Sequence, residues 1–131
     1  MFRNEIIKLN HEQVKQILKS APDDFLVVEI NGERIQTWEQ YTLTIEKNMN
    51  FPTTCIDSIA RYEDWICDLE WLAKRGFIIV IYNFDKFMKN NPRIKGTILC
   101  GFEELILPWW QSEVEKCSPR KVSPFNVYLV D

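Results

Sequence analysis

Apolar residues along this chain follow two patterns. Three short segments are apolar and rich in β-branched residues throughout: FLVVEI at residues 25–30, FIIVIY at 77–82 and FNVYLV at 125–130. Continuous apolar runs of this length are typical of strands that are buried on both faces of a sheet. Between these runs the apolar positions recur at steps of three and four, which predicts amphipathic helices.

Capping residues indicate where the first two helices begin. Asn10, with Gln13 three residues later, predicts a helix over residues 10–20 that starts with a capping box. Thr37, with Gln40 three residues later, predicts a second helix that runs to about residue 47. An Asn-Gly pair at residues 31–32 predicts the turn that leaves the first strand.

Two longer helices are predicted in the second half of the chain. Ile59, Tyr62, Ile66 and Leu69 form one apolar face of a helix over about residues 57–74, which we expect Gly76 to end. A further helix is predicted over about residues 97–116. Its Pro108 lacks a backbone N–H, so we expect a kink there or a division into two helices.

The resulting order is α-β-α-α-β-α-α-β. Strands separated by helices imply a parallel sheet, because parallel strands need long crossover connections. We therefore predict an α/β fold with a small three-stranded parallel sheet covered by helices and an extra N-terminal helix. A length of 131 residues suits a single domain, with residues 1–24 as an N-terminal extension and residues 25–131 as the core.

Negative charge is concentrated in residues 51–71. Five carboxylates and one cation, Arg61, give this segment a formal charge of −4, whereas the whole chain carries −3. In a helix, Asp57, Asp64 and Asp68 share a side with Arg61, opposite the apolar face. Such a surface could receive a basic partner, or it could be an ordinary solvated face with local ion pairs at Arg61.

Composition argues against several classes of protein. The longest uncharged apolar run, residues 76–84, is too short to span a membrane, and residues 1–13 contain no apolar export signal, so we expect a cytoplasmic protein. The four cysteines form no CxxC pair and there is one histidine, so we expect free thiols and no metal site. The mildly acidic chain has no Lys/Arg cluster, which argues against nucleic-acid binding.

The sequences INGE at residues 30–33 and EDWICDLEW at residues 63–71 resemble motifs of the barstar family of small intracellular ribonuclease inhibitors. The sequence INGE at residues 30–33 leaves the first strand as in that family, and a helix over residues 37–48 follows. Pro52 begins the segment that corresponds to the family's recognition segment, and EDWICDLEW at residues 63–71 resembles a stretch within it. The spacing from Pro52 to Asp64 matches the family without a gap. The resemblance extends over about residues 27–131.

The resemblance implies a fold and a mode of action. The family fold is a three-stranded parallel sheet with helices, and its members insert carboxylates into a nuclease's cationic active site, where RNA phosphates would bind. No cofactor is implied. Asp64 corresponds to the family's central carboxylate and Glu63 lies beside it. We expect a protein partner, a basic ribonuclease or another secreted or contact-delivered toxin, and a chain that is a monomer or weak dimer.

Other positions depart from the family pattern. Ser58 replaces an Asn, Ala60 replaces a second contact Asp, and residues 54–56 replace a Tyr-Tyr-Gly loop. We therefore expect a reshaped loop, a different target toxin, and contact charges redistributed among neighbouring carboxylates. The candidate partner-binding residues are Asp64, Glu63, Asp57, Asp68, Ser58, Thr54, Ile56, Ala60 and Trp65.

Two other functions remain open from the residues alone. A small enzyme is disfavoured, because the single His11 lies in a polar helix and because Cys67 and Cys100 lie in apolar helical stretches, where we expect buried thiols. A non-inhibitory assembly module would use exposed aromatic residues. Trp109–Trp110 either pack in the core or leave one ring at a contact surface, and we expect at least one of Trp65 and Trp71 to be partly exposed.

Overall fold

A computed structural model describes residues 2–131 and contains a parallel sheet with helices on both faces. The strands are β1 (Ile6–Leu9), β2 (Phe25–Asn31), β3 (Gly76–Tyr82) and β4 (Phe125–Val130), in the spatial order β1-β4-β3-β2. All three neighbouring pairs are parallel. The α/β class and the parallel sheet are confirmed, but the expectation of three strands is wrong, because the N-terminal extension supplies β1 as well as a helix.

Strand β3, which lies between β4 and β2, anchors the sheet in the core. Six of the seven residues of β3 are buried, as expected for an apolar run covered on both sides. Its register aligns Phe77 with Phe125 of β4 and Gly76 with Phe25 of β2. Gly76 has no room for a side chain, since a Cβ there would lie 2.5 Å from the Phe25 ring.

Helices divide between the two faces of the sheet. Helix α1 (His11–Ser20) covers one face through Val14, which packs with Ile78, Val80 and Tyr128. Helices α2 (Trp38–Met49) and α3 (Ile59–Ile66) cover the other face, together with a long helix over residues 92–117. No helix among residues 2–131 is long and apolar enough to cross a membrane.

The predicted caps of the first two helices are confirmed. The Asn10 side chain accepts from the Gln13 backbone N–H at 2.8 Å, and the Gln13 side chain accepts from the Asn10 N–H at 2.9 Å. The Thr37 hydroxyl accepts from the Gln40 N–H. Each bond satisfies a backbone donor that has no partner within the first turn of its helix.

The acidic helix is much shorter than the predicted residues 57–74. It ends at Ile66, and Leu69 and Ala73 take left-handed backbone conformations, with φ of 54° and 50°. Leu69 is 3% exposed, so the chain leaves the helical path where this side chain enters the core. Gly76 does not end the helix; it is the first residue of β3.

The long helix is continuous through Pro108. It consists of α4 (Pro92–Gly101), π-helical turns at Phe102–Ile106 and Trp109–Glu113, and α5 (Val114–Cys117). The Leu107 N–H donates to the Phe102 carbonyl and the Val114 N–H to the Trp109 carbonyl, five residues back in each case. The wider turns accommodate the proline ring and its missing donor within one helix.

Candidate functional site

Helix α3 is held in place by its cap and its inner face. The Ser58 hydroxyl accepts from the Arg61 backbone N–H at 3.1 Å and caps the helix. On the inner face, the Tyr62 and Tyr41 hydroxyls share a buried hydrogen bond of 2.6 Å that joins α3 to α2. Ile66 is fully buried. The opposite side of α3 is therefore presented to solvent in a fixed orientation.

The loop before α3 is ordered by side chains of α2. The Glu46 carboxylate accepts from the Thr54 hydroxyl at 2.8 Å and from the Cys55 backbone N–H. The Trp38 indole N–H donates to the Ile56 carbonyl at 2.9 Å. These bonds define the loop path at the positions where the family carries Tyr-Tyr-Gly. Neither Glu46 nor Trp38 was among the predicted site residues.

Asp64 and Glu63 are the carboxylates of α3 that have no cationic partner among residues 2–131. Asp64 is exposed and Glu63 is half-buried. Asp57 differs, because it lies 3.4 Å from the Arg61 guanidinium in an exposed ion pair. The structure thus leaves the two adjacent carboxylates available and partly neutralises the third.

Asp68 is already bound within the chain. The Arg120 guanidinium contacts both the carboxylate and the backbone carbonyl of Asp68, and it reaches the Glu70 carboxylate at 2.8 Å. Arg120 and Asp68 side chains are 28% and 30% exposed. Charge-assisted contacts of this kind fix the turn after α3, so we expect Asp68 to shape the site more than to contact a partner.

Both tryptophans near α3 are half-buried. The Trp65 indole N–H donates to the Thr53 hydroxyl at 3.0 Å, and the Trp71 indole N–H donates to the Met49 carbonyl at 2.8 Å. Their rings meet edge to face, with centroids 5.6 Å apart. The expectation that one of them is partly exposed is confirmed for both.

A groove lies between α3 and the long helix. Its volume is about 490 Å³, and Ala60 lines it together with both unpaired carboxylates. Leu105, which is 40% exposed, and Trp109 form the opposite wall. Trp110 is buried and donates to the Ile66 carbonyl at 3.0 Å, so Trp110 packs in the core, whereas Trp109 reaches the surface.

Ile59 is not part of the core. This first residue of α3 is 45% exposed, although the helical pattern placed it with Tyr62 and Ile66. The helix begins at Ile59, so its side chain lies beyond the part of the face that contacts the core. Ile59 therefore adds an apolar position to the exposed end of α3.

The candidate nucleophiles are poorly suited to catalysis. Burial and the neighbouring Glu63 and Asp64 charges raise the pKa of Cys67 to about 12, and burial together with Glu46 raises the pKa of Cys55 to about 12. Thiols with such a pKa are protonated near neutral pH. Cys100 is exposed, which corrects the expectation of a buried thiol, and its pKa is raised by a hydrogen bond to Glu104.

His11 lies on α1, where its ring stacks on Tyr82 with centroids 5.9 Å apart. No group of three or more His, Cys, Asp or Glu residues among residues 2–131 is arranged to hold a metal ion.

The sequence did not identify Arg120 or Leu105 as part of this region. Arg120 lies more than fifty residues after Asp68 in the chain, and no local pattern connects them. Leu105 falls within the helix predicted over residues 97–116, but no signal in the sequence indicated that it would line a groove from a π-helical turn.

Comparison with known protein families gives a match over most of the chain. Residues 25–118 match the family described as barstar (barnase inhibitor). No curated protein and no solved structure matches significantly. The match covers most of the chain and includes α2, the loop and α3. The chain therefore belongs to the barstar family.

Proposed function

We propose that this chain is an inhibitor, or immunity protein, that binds and covers the basic active site of a ribonuclease or a related bacterial toxin. It acts in the cytoplasm, without a cofactor and without catalysis of its own. The observation that carries the proposal is the exposed, unpaired Asp64 on α3, within the segment that matches the family of the barnase inhibitor.

Charge supports this function. Arginine and lysine side chains that hold RNA phosphates also hold carboxylates, through charge-assisted hydrogen bonds. Among residues 2–131, no cation pairs with Asp64 or Glu63, so neither carboxylate has to release one before it meets such groups. Their negative potential also speeds the encounter with a basic toxin, which matters when the toxin is lethal.

The surroundings of Asp64 support a target that differs from the usual ribonuclease of the family. Asp57 is paired with Arg61 and Asp68 with Arg120, so the available charge is concentrated at Glu63 and Asp64. Apolar surface beside these carboxylates comes from Ala60, Leu105, Trp109 and the exposed Ile59. A partner that approaches these carboxylates would also meet Thr54, Ile56, Ser58 and Trp65.

The proposal is tested by replacing the central carboxylate. Asp64→Asn keeps the shape and removes the charge, and Asp23→Asn is the matched control, because Asp23 is exposed in the connection between α1 and β2. Inhibition of RNA cleavage by barnase, and of the toxin encoded beside this gene, is measured for each variant. We expect Asp64→Asn to weaken binding by several kcal/mol, as for charges buried at an interface, and Asp23→Asn to have little effect.

Stability distinguishes a binding role from a structural one. Within residues 2–131, Asp64 makes no hydrogen bond or ion pair through its side chain, so the free energy of unfolding of Asp64→Asn in urea should stay within about 0.5 kcal/mol of the wild type. An unfolded variant, or one that keeps full affinity, contradicts the proposed role of Asp64. An association rate that does not change with salt contradicts the electrostatic part.

A further inference from the structure

Strand β1 leaves one edge of the sheet uncovered. Ile6 is aligned with Val127, and the Val127 N–H donates to the Glu5 carbonyl at 3.2 Å. In a parallel ladder the residues that flank the aligned position bond to the neighbouring strand. Residues 5, 7 and 9 therefore face β4, and the N–H and C=O groups of Ile6 and Lys8 point outward. No other strand among residues 2–131 pairs with this edge.

A cavity runs along this edge. It has a volume of about 810 Å³ and lies between β1 and the long helix. Its apolar lining comes from Ile6, Leu99, Leu107, Pro108 and Leu129. Leu105 and Trp109, which line the groove beside α3, are absent from this lining. The two grooves thus lie on different flanks of the same helix.

Charges around this cavity balance one another. Arg3 and Lys8 contribute two cations, and Glu5 and Glu103 contribute two anions. The acidic side of α3 would repel a second copy of this chain, whereas the β1 edge has no net charge to oppose it. Lys8 is exposed on the strand and Glu103 lies on the long helix, so two copies could exchange this pair of opposite charges.

We propose that two copies of this chain associate through their β1 edges, in antiparallel orientation, to form one continuous eight-stranded sheet. A two-fold axis normal to the sheet, midway between the two Ile7 residues, places Ile6 opposite Lys8 of the second copy. All outward N–H and C=O groups of these two residues then pair, which gives four hydrogen bonds across the axis.

Side chains agree with this register. The two Ile7 side chains meet at the axis on the face covered by α1. On the other face, Lys8 lies opposite Ile6 of the second copy and over that copy's groove, where Glu103 forms part of the wall. Directly opposed side chains on antiparallel strands lie close enough to contact each other. The surface of α3 remains free in both copies, so this association does not depend on the proposed inhibition.

Two substitutions at one position separate strand pairing from the side-chain contact. Lys8→Pro removes an outward N–H that makes no bond to β4, and Lys8→Ala keeps that N–H while removing the charge. Sedimentation equilibrium over a range of concentrations should show a dimer for the wild type. The association constant should fall at least tenfold for Lys8→Pro and distinctly less for Lys8→Ala.

Amide hydrogen exchange gives a readout that does not rely on the variants. Protection of the Ile6 and Lys8 amides should increase with concentration of the wild-type chain, whereas the amides of Ile7 and Leu9, which face β4, should be protected at every concentration. A chain that stays monomeric throughout overturns the proposal. A dimer in which the Ile6 and Lys8 amides remain unprotected, or equal weakening by both substitutions, also overturns it.

Discussion

The buried hydrogen bond between Tyr41 and Tyr62 offers a quantitative test of how α3 is held. The two hydroxyl oxygens are 2.6 Å apart, and the residues are 0% and 3% exposed. Tyr62→Phe keeps the aromatic ring and its edge-to-face contact with Tyr41, but it leaves the Tyr41 hydroxyl buried without a partner. We expect this substitution to destabilise the protein although it removes only one oxygen atom.

The size of the expected destabilisation follows from a difference between losing one partner of a buried hydrogen bond and losing both. An unsatisfied buried hydroxyl costs about 1–3 kcal/mol, whereas removal of both partners is nearly neutral. Tyr41→Phe and Tyr62→Phe should therefore each lower the free energy of unfolding by about 2 kcal/mol. The double variant should lose no more than either single variant, which gives a coupling energy of at least about 2 kcal/mol.

Urea denaturation of the four proteins measures this coupling. For a chain of this size, with a slope of about 1.5 kcal/mol/M, a loss of 2 kcal/mol lowers the midpoint by about 1.3 M. The comparison is valid only if the unfolding free energy of all four proteins falls with urea concentration at the same slope. Single variants as stable as the wild type, or losses that simply add in the double variant, would refute the buried pair as a link between α2 and α3.

Further predictions concern the helix cap, two glycines and alkaline pH. Ser58→Ala should cost about 1 kcal/mol of unfolding free energy, because it removes the cap of α3. Gly32→Ala should cost at least about 2 kcal/mol in urea denaturation, since its Cβ would lie 2.7 Å from the Tyr82 carbonyl oxygen, whereas Gly96→Ala, with nothing within 4 Å, should stabilise by up to about 1 kcal/mol. Burial raises the pKa of Tyr41 and Tyr62 above the usual 10. The unfolded chain therefore releases these protons first, so stability is fully present below pH 10 and should fall above it, less steeply when both residues are Phe.

Strands and capped helices were predictable because their signals are local. The predicted segment 125–130 coincides with β4, and the predictions for β2 and β3 each miss one terminal residue. The N-cap residues Asn10 and Thr37 were correct for the same reason. By contrast, β1 has four residues and is stabilised by pairing with β4, more than a hundred residues away in the chain, so its sequence alone carried little signal.

The acidic surface was only partly predictable. Its position on α3 followed from the charge pattern and the family resemblance, but the end of the helix did not. Leu69 turns the backbone to reach the core, and Arg120 binds the turn from a distant part of the chain. These are tertiary effects, and they decide which carboxylates are free. The sequence placed Asp57, Asp64 and Asp68 on one stripe, and the structure separates the unpaired Asp64 from its two paired neighbours.

The central claim, that Asp64 presents a free carboxylate to a basic toxin, is tested most directly by co-expression. Wild type, Asp64→Asn and Asp23→Asn are each produced with the toxin candidate encoded beside this gene, and growth rescue and co-purification are scored. We predict rescue and a stable one-to-one complex for the wild type and Asp23→Asn, with loss of both for Asp64→Asn at equal expression. Absence of any complex with the wild type, or full rescue by Asp64→Asn, would contradict the claim.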